Sequence, residues 1–91
     1  MTDRELLELA AKAAGIERDG EHWSDWWNPL HSDGDALRLA VKLKMTLDIL
    51  PWRAEASAEG FGMVEPITNN NADVATRRAI VRAAAAIGAA K

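Results

Sequence analysis

The chain contains no cysteine among its 91 residues. Disulfide bonds, thiolate nucleophiles and cysteine-based zinc sites are therefore excluded together. This absence suits a reducing compartment, and we expect the protein to act in the cytoplasm. A chain of this length buries only somewhat more than about 60% of its unfolded surface. We therefore expect one domain over residues 1–91 with a thin core, and self-association as a second source of stability.

Long apolar runs are also missing. No stretch approaches the roughly 20 apolar residues that a membrane-spanning helix requires. Asp3, Arg4 and Glu5 precede the first apolar cluster, whereas a secretory signal places a basic region before an uninterrupted apolar run. We expect neither export nor membrane insertion.

Recognisable catalytic and ligand-binding motifs are absent from the sequence as well. His22 and His31 have no serine, cysteine or carboxylate nearby in a pattern known for catalysis. The six glycines form neither a phosphate loop nor a dinucleotide fingerprint. Asp33-Gly34-Asp35 matches only part of a calcium loop, and helix capping explains it without a metal. We expect no enzyme activity, no cofactor and no metal site.

Capping patterns predict three helices. Thr2 with Glu5 forms a capping box, and Ser32 with Asp35 repeats the signal further along the chain. The predicted helices span residues 3–14, 33–44 and 72–87, the last one capped by an asparagine at position 70 or 71. The buried side of the second helix is expected to consist of Ala36, Leu37, Ala40, Val41 and Leu43.

Three short segments have the pattern of strands. Residues 46–50 alternate apolar with polar side chains, residues 61–65 form a second segment, and a short extended piece is expected at residues 22–24. We expect the two later segments to pair as an antiparallel hairpin, joined by an irregular connection over residues 52–60. The predicted fold is α+β, with a small antiparallel sheet of two to three strands packed with three helices in the order α-β-α-β-β-α.

Tryptophan is abundant, with four residues in a chain that has no tyrosine and one phenylalanine. Adjacent side chains point in different directions, so at most one of Trp26 and Trp27 is expected to be fully buried. The other is an interface candidate, and packing of all four indoles in the core is the alternative. We predict a partner-binding loop that includes six residues: Trp23, Trp26, Trp27, Asn28, Asp33 and Asp35.

A basic strip on the last helix suggests a different function. Arg77, Arg78 and Arg82 can contact phosphate, but the chain is acidic, with a pI near 5.3, and no aromatic residue interleaves with them. We expect a solvated face paired with acidic neighbours, and no nucleic-acid partner. The alternative function is a domain that sequesters a small ligand or nucleotide, with these arginines holding its phosphate and an indole stacking on it.

Two blocks of the sequence carry a resemblance to a known family. Trp27-Asn28-Pro29-Leu30 with residues 33–43, and residues 75–84, resemble small bacteriophage and prophage proteins of the phage α/β/α (ABA) sandwich domain family. The resemblance covers nearly the whole chain and implies a phage gene product in the bacterial host cytoplasm, without catalytic activity. We therefore expect a small phage accessory protein that binds a host or phage protein, for example to inhibit a bacterial defence system.

Overall fold

The computed structural model describes residues 1–18, 20 and 23–91. Its elements are, in chain order, α1 (Asp3–Ala14), α2 (Trp23–Trp26), α3 (Asp33–Lys42), β1 (Thr46–Ile49), β2 (Arg53–Ala58), β3 (Phe61–Pro66) and α4 (Ala72–Ala89). The three strands form one antiparallel sheet in the order β1-β2-β3. The predicted α+β class is confirmed.

The first helix starts and ends where the capping residues place it. The Oγ1 atom of Thr2 accepts the backbone N–H of Glu5 at 3.2 Å, and the Glu5 carboxylate accepts the backbone N–H of Thr2 at 3.2 Å. Hydrogen bonds from the backbone and side chain of Thr2 lower the pKa of the Glu5 carboxyl below its ordinary value. Gly15 ends α1 with φ 71°, a conformation that glycine adopts without steric cost.

The sheet differs from the prediction at residues 52–60. This part of the chain contains β2, which lies between β1 and β3 and pairs with both, so the predicted hairpin of residues 46–50 with residues 61–65 is wrong. Alanine and glutamate are poor strand formers, so the sequence of residues 53–58 gives no strand signal. The segment forms a strand despite this low propensity because Ala54 and Ala56 are completely buried under the helices.

The predicted extended piece at residues 22–24 is also not a strand where the structure describes it. Trp23 and Ser24 belong to the helical turn α2, and His22 lies outside the described residues. A segment of three residues is too short for its pattern to distinguish a strand from one helical turn.

The most extensive contact between the helices of the described residues joins α1 and α4. A Cβ atom placed on Gly88 would lie 1.9 Å from the carbonyl oxygen of Leu9, so the two backbones nearly touch there. Alanines on both helices are buried in the same core. Small side chains allow two helices to pack this closely. The van der Waals contacts of the core therefore come from closely spaced backbones rather than from large side chains.

Helix α4 also covers part of the sheet. It lies over β2 and β3, against the face that carries the buried Ala54 and Ala56. Their partners in β1 are Ile49 and Leu47, which project on the same face because side chains alternate along a strand. These two residues reach beyond the cover of α4 and stay 54% and 37% exposed.

Helix α3 buries a different set of residues from the predicted one. Ala36 and Ala40 are buried as expected, but Leu37 and Val41 are exposed and Leu39 is buried instead. At about 100° per residue, Leu37 and Val41 form a second apolar arc beside the core-facing one. The apolar side chains of α3 therefore span a wider arc of the helix than the part that is buried in the core.

The contact at Gly88 leads to a stability prediction. Gly88→Ala should lower the free energy of unfolding by about 1–3 kcal/mol, because the new methyl group overpacks the contact with α1. Gly34→Ala in α3 is the matched control, since its Cβ would meet only the Arg38 guanidinium at 3.3 Å, the movable end of an exposed side chain. The control should keep or raise stability by up to about 1 kcal/mol. Urea unfolding followed by circular dichroism measures both, and equal stability of the two variants would contradict the close contact.

Candidate functional site

Two of the predicted loop tryptophans belong to the core. Trp23 and Trp27 are both buried, with ring centroids 6.1 Å apart and planes tilted by 32°. The guanidinium carbon of Arg4 lies 5.1 Å from the Trp23 ring centroid. Trp26 lies between them in sequence and is 62% exposed, which confirms that only one of the adjacent pair is buried. Trp26 is therefore the only loop indole that presents a large surface to a partner.

Asn28 and Asp35 fasten this loop to the start of α3. The Asn28 backbone N–H donates to Asp35 Oδ2 at 2.9 Å, and Asn28 Oδ1 accepts the Leu30 N–H at 3.1 Å. The other oxygen of Asp35 accepts from Arg38 at 2.6 Å. Both predicted site residues thus have structural partners within the chain, and they fix the position of α3.

Asp33 and Arg77 connect α3 with α4. The Arg77 guanidinium forms an ion pair with Asp33 and donates through Nε to the Leu30 carbonyl at 2.9 Å. Arg77 is the less exposed partner of this pair. Both residues also line a groove between α3, β1 and α4.

The other two arginines of the predicted basic strip are also paired with carboxylates. Arg78 lies 3.2 Å from Asp3 and 3.3 Å from Glu65, and Arg82 lies 3.2 Å from Glu65. The expected pairing with acidic neighbours is confirmed. A phosphate would have to compete with these carboxylates, and the ligand-sequestering alternative stays a prediction.

An apolar groove lies between α3, β1 and the first half of α4, and we call it the α3–β1 groove. Its volume is about 320 Å³, and it is open to solvent along its length. Leu37, at 60% exposed, forms one wall, opposite Leu47 and Ile49 of β1. The full lining is Asp33, Ala36, Leu37, Leu47, Ile49, Ala72, Asp73, Thr76, Arg77 and Ile80.

The backbone of β1 adds a second feature to this groove. The Leu50 N–H donates to the Arg53 carbonyl at 2.9 Å, so the backbone groups of residue 50 point toward β2. In an antiparallel pair this direction alternates along the strand. The N–H and C=O groups of Leu47 and Ile49 therefore point away from β2, toward the open edge of the sheet. The same two residues that line the groove with their side chains present backbone groups beside it for which residues 1–18, 20 and 23–91 supply no partner.

The opposite edge of the sheet is better protected. By the same alternation, the outward backbone groups of β3 belong to Gly62, Val64 and Pro66. Pro66 has no N–H to donate, and Arg82 donates to the Val64 carbonyl at 3.5 Å. Proline and covering charges are devices by which proteins protect a sheet edge. The edge of β1 contains no proline, which makes it the edge more open to an added strand.

Sequence reasoning found only one end of this groove. Asp33 was a predicted partner-binding residue and Arg77 belonged to the ligand alternative, and the structure brings them together at the groove. Leu37 was expected in the core, and Leu47 and Ile49 were assigned no role. The second apolar arc of α3 is the signal in the sequence that points to the groove.

Comparison with protein families, curated proteins and solved structures finds no match to this chain. The resemblance to the phage ABA sandwich family therefore stays a prediction. Within residues 1–18, 20 and 23–91, no helix is long and apolar enough to cross a membrane, and no three metal-binding side chains are grouped.

The two classes of indole should respond differently to truncation. Trp23→Ala and Trp27→Ala should each cost about 3–5 kcal/mol of stability, because they leave cavities in the core. Trp26→Ala should change stability by less than about 0.5 kcal/mol. Chemical unfolding followed by far-ultraviolet circular dichroism compares them, and a large loss for Trp26→Ala would show that this indole is structural.

Proposed function

We propose that this chain is a protein-binding module that accepts an extended segment of a partner along β1. The observation that carries the proposal is the coincidence at Leu47 and Ile49, whose side chains line an apolar groove while their backbone groups face an open sheet edge. A strand added to such an edge gains affinity from backbone hydrogen bonds and specificity from its alternate side chains.

The geometry indicates what such a segment contains. Every second side chain of an added strand would face the helix layer, where the lining is mainly apolar. Apolar residues at alternate positions would therefore contact Leu37 as well as the side chains of β1. The Asp33 and Arg77 ion pair offers a polar end to the groove, at which a polar group of the segment can bind.

The tryptophan loop supports this surface from the side. Its buried indoles and the hydrogen bond from the Asn28 N–H to Asp35 hold the start of α3, which forms one wall of the groove. We propose Trp26 as a separate contact for the partner, since a large exposed indole is a typical interface anchor. The finer hypothesis is a phage accessory protein that binds a host or phage protein, including a component of a defence system.

A selection of short random peptides on the immobilised protein tests the proposal. The selected peptides should alternate apolar with polar residues, and Ile49→Lys should weaken their binding at least about tenfold, because it places a charge in the groove. Val64→Lys is the matched control, with 42% exposure on the other face of the sheet, opposite Glu55. The control should bind as the wild type does.

Amide chemical shifts locate the bound peptide independently. Titration with a selected peptide should move the amide signals of Leu47 and Ile49 first, because their N–H groups face the open edge. Shifts confined to the neighbourhood of Trp26, or equal binding by the two lysine variants, would contradict binding along β1.

A further inference from the structure

We propose that the segment paired with β1 is β1 of a second copy of this chain. The two copies then form one continuous antiparallel sheet, with three strands from each. The inference rests on the proposed function, since it uses the same groove and the same edge. A two-fold axis through the middle of β1 places the same surface on both sides of the interface, as in most homodimers.

The directions of the backbone groups limit the register of this pairing. The outward groups belong to Leu47 and Ile49, so the residues that exchange hydrogen bonds across the axis must be odd-numbered on both copies. With the axis at Leu47, this residue pairs with its own copy. Ile49 then lies opposite Met45 of the second copy, and its N–H can donate to the Met45 carbonyl. All side chains on the groove side of the new junction are apolar.

Charge selects this register over the next one. With the axis at Leu47, Asp48 lies opposite Thr46 of the second copy, whose hydroxyl can donate to the carboxylate. An axis at Asp48 would instead place the two Asp48 carboxylates directly opposite each other. Like charges in directly opposed positions destabilise a sheet.

Backbone conformation disfavours a shift in the opposite direction. An axis at Thr46 would bring Lys44 into the ladder, but this residue has φ 55° and is not extended. The axis at Leu47 leaves Lys44 outside the ladder.

The exposed arc of α3 fits the same arrangement. Leu37 lines the groove beside β1, and Val41 follows it one turn later on the same side of the helix. A two-fold axis beside β1 brings the helix layers of both copies to the same face of the joined sheet. The second arc then faces the other copy, which accounts for apolar residues that the isolated chain leaves in solvent.

Light scattering on the wild-type protein over a concentration series tests the inference directly. The account predicts a mass of twice 9.9 kDa that falls toward 9.9 kDa on dilution. Ile49→Lys should shift the protein to the monomer mass, whereas Val64→Lys should not. A wild-type protein that stays at the monomer mass at every concentration overturns the inference.

Single cysteines determine the register, because the chain has no other cysteine. In the proposed pairing the Leu47 Cα atoms are about 5.5 Å apart, within disulfide range, so Leu47→Cys should form linked dimers on mild oxidation. Thr46→Cys is the matched control from the same strand, and its copies lie too far apart to link. Equal linking of both variants, or a dimer that persists in Ile49→Lys, contradicts this interface.

The outcome also separates this inference from the proposed function. If the chain is monomeric but Val64→Lys binds the selected peptides and Ile49→Lys does not, only the second copy is excluded as the partner. If neither a dimer nor a peptide depends on Ile49, both proposals fail.

Discussion

The backbone contact between Gly88 of α4 and the Leu9 carbonyl of α1 is the constraint on which the rest of the structure depends. It holds the two helices at a distance that only glycine allows at position 88, and alanines on both helices are buried in the same core. Helix α4 in turn rests on Ala54 and Ala56 of β2, where larger side chains would force it away from the sheet. A chain of this length buries little apolar surface, and closely packed backbones supply the core contacts that larger side chains provide in bigger domains.

The same packing leaves one strand outside the helix cover. Helix α4 spans β2 and β3, and β1 extends past it with Leu47 and Ile49 facing the helix side of the sheet. The α3–β1 groove is therefore a consequence of how the core is built. An apolar surface of this kind beside an open strand edge favours association with another strand. At Leu47 and Ile49 of β1, partly exposed side chains and outward-facing backbone groups occur together.

Capping chemistry made α1 and the start of α3 predictable, whereas the predicted asparagine cap of α4 is wrong, since Asn71 makes no side-chain hydrogen bond there. Burial made the sheet hard to predict. Thr2, Ser32 and Gly15 act over a few residues, so the starts of α1 and α3 and the end of α1 follow from local sequence. Strand β2 has no such local signal, because its alanines favour a strand only through their burial against α4. The candidate site shows the same contrast: residue type alone predicts Trp26 and Asp33 as partner-binding residues, whereas Leu37, Leu47 and Ile49 become candidates only through the strand register and the extent of α4 over the sheet.

Amide hydrogen exchange along β1 tests the central claim, that the open edge of β1 is where this protein pairs with another strand. The Asp48 N–H faces β2 and should be protected in every condition. The Leu47 and Ile49 N–H groups should exchange rapidly in dilute solution and become protected as the protein concentration rises. Rapid exchange of both at all concentrations, and in the presence of a selected peptide, would contradict the account.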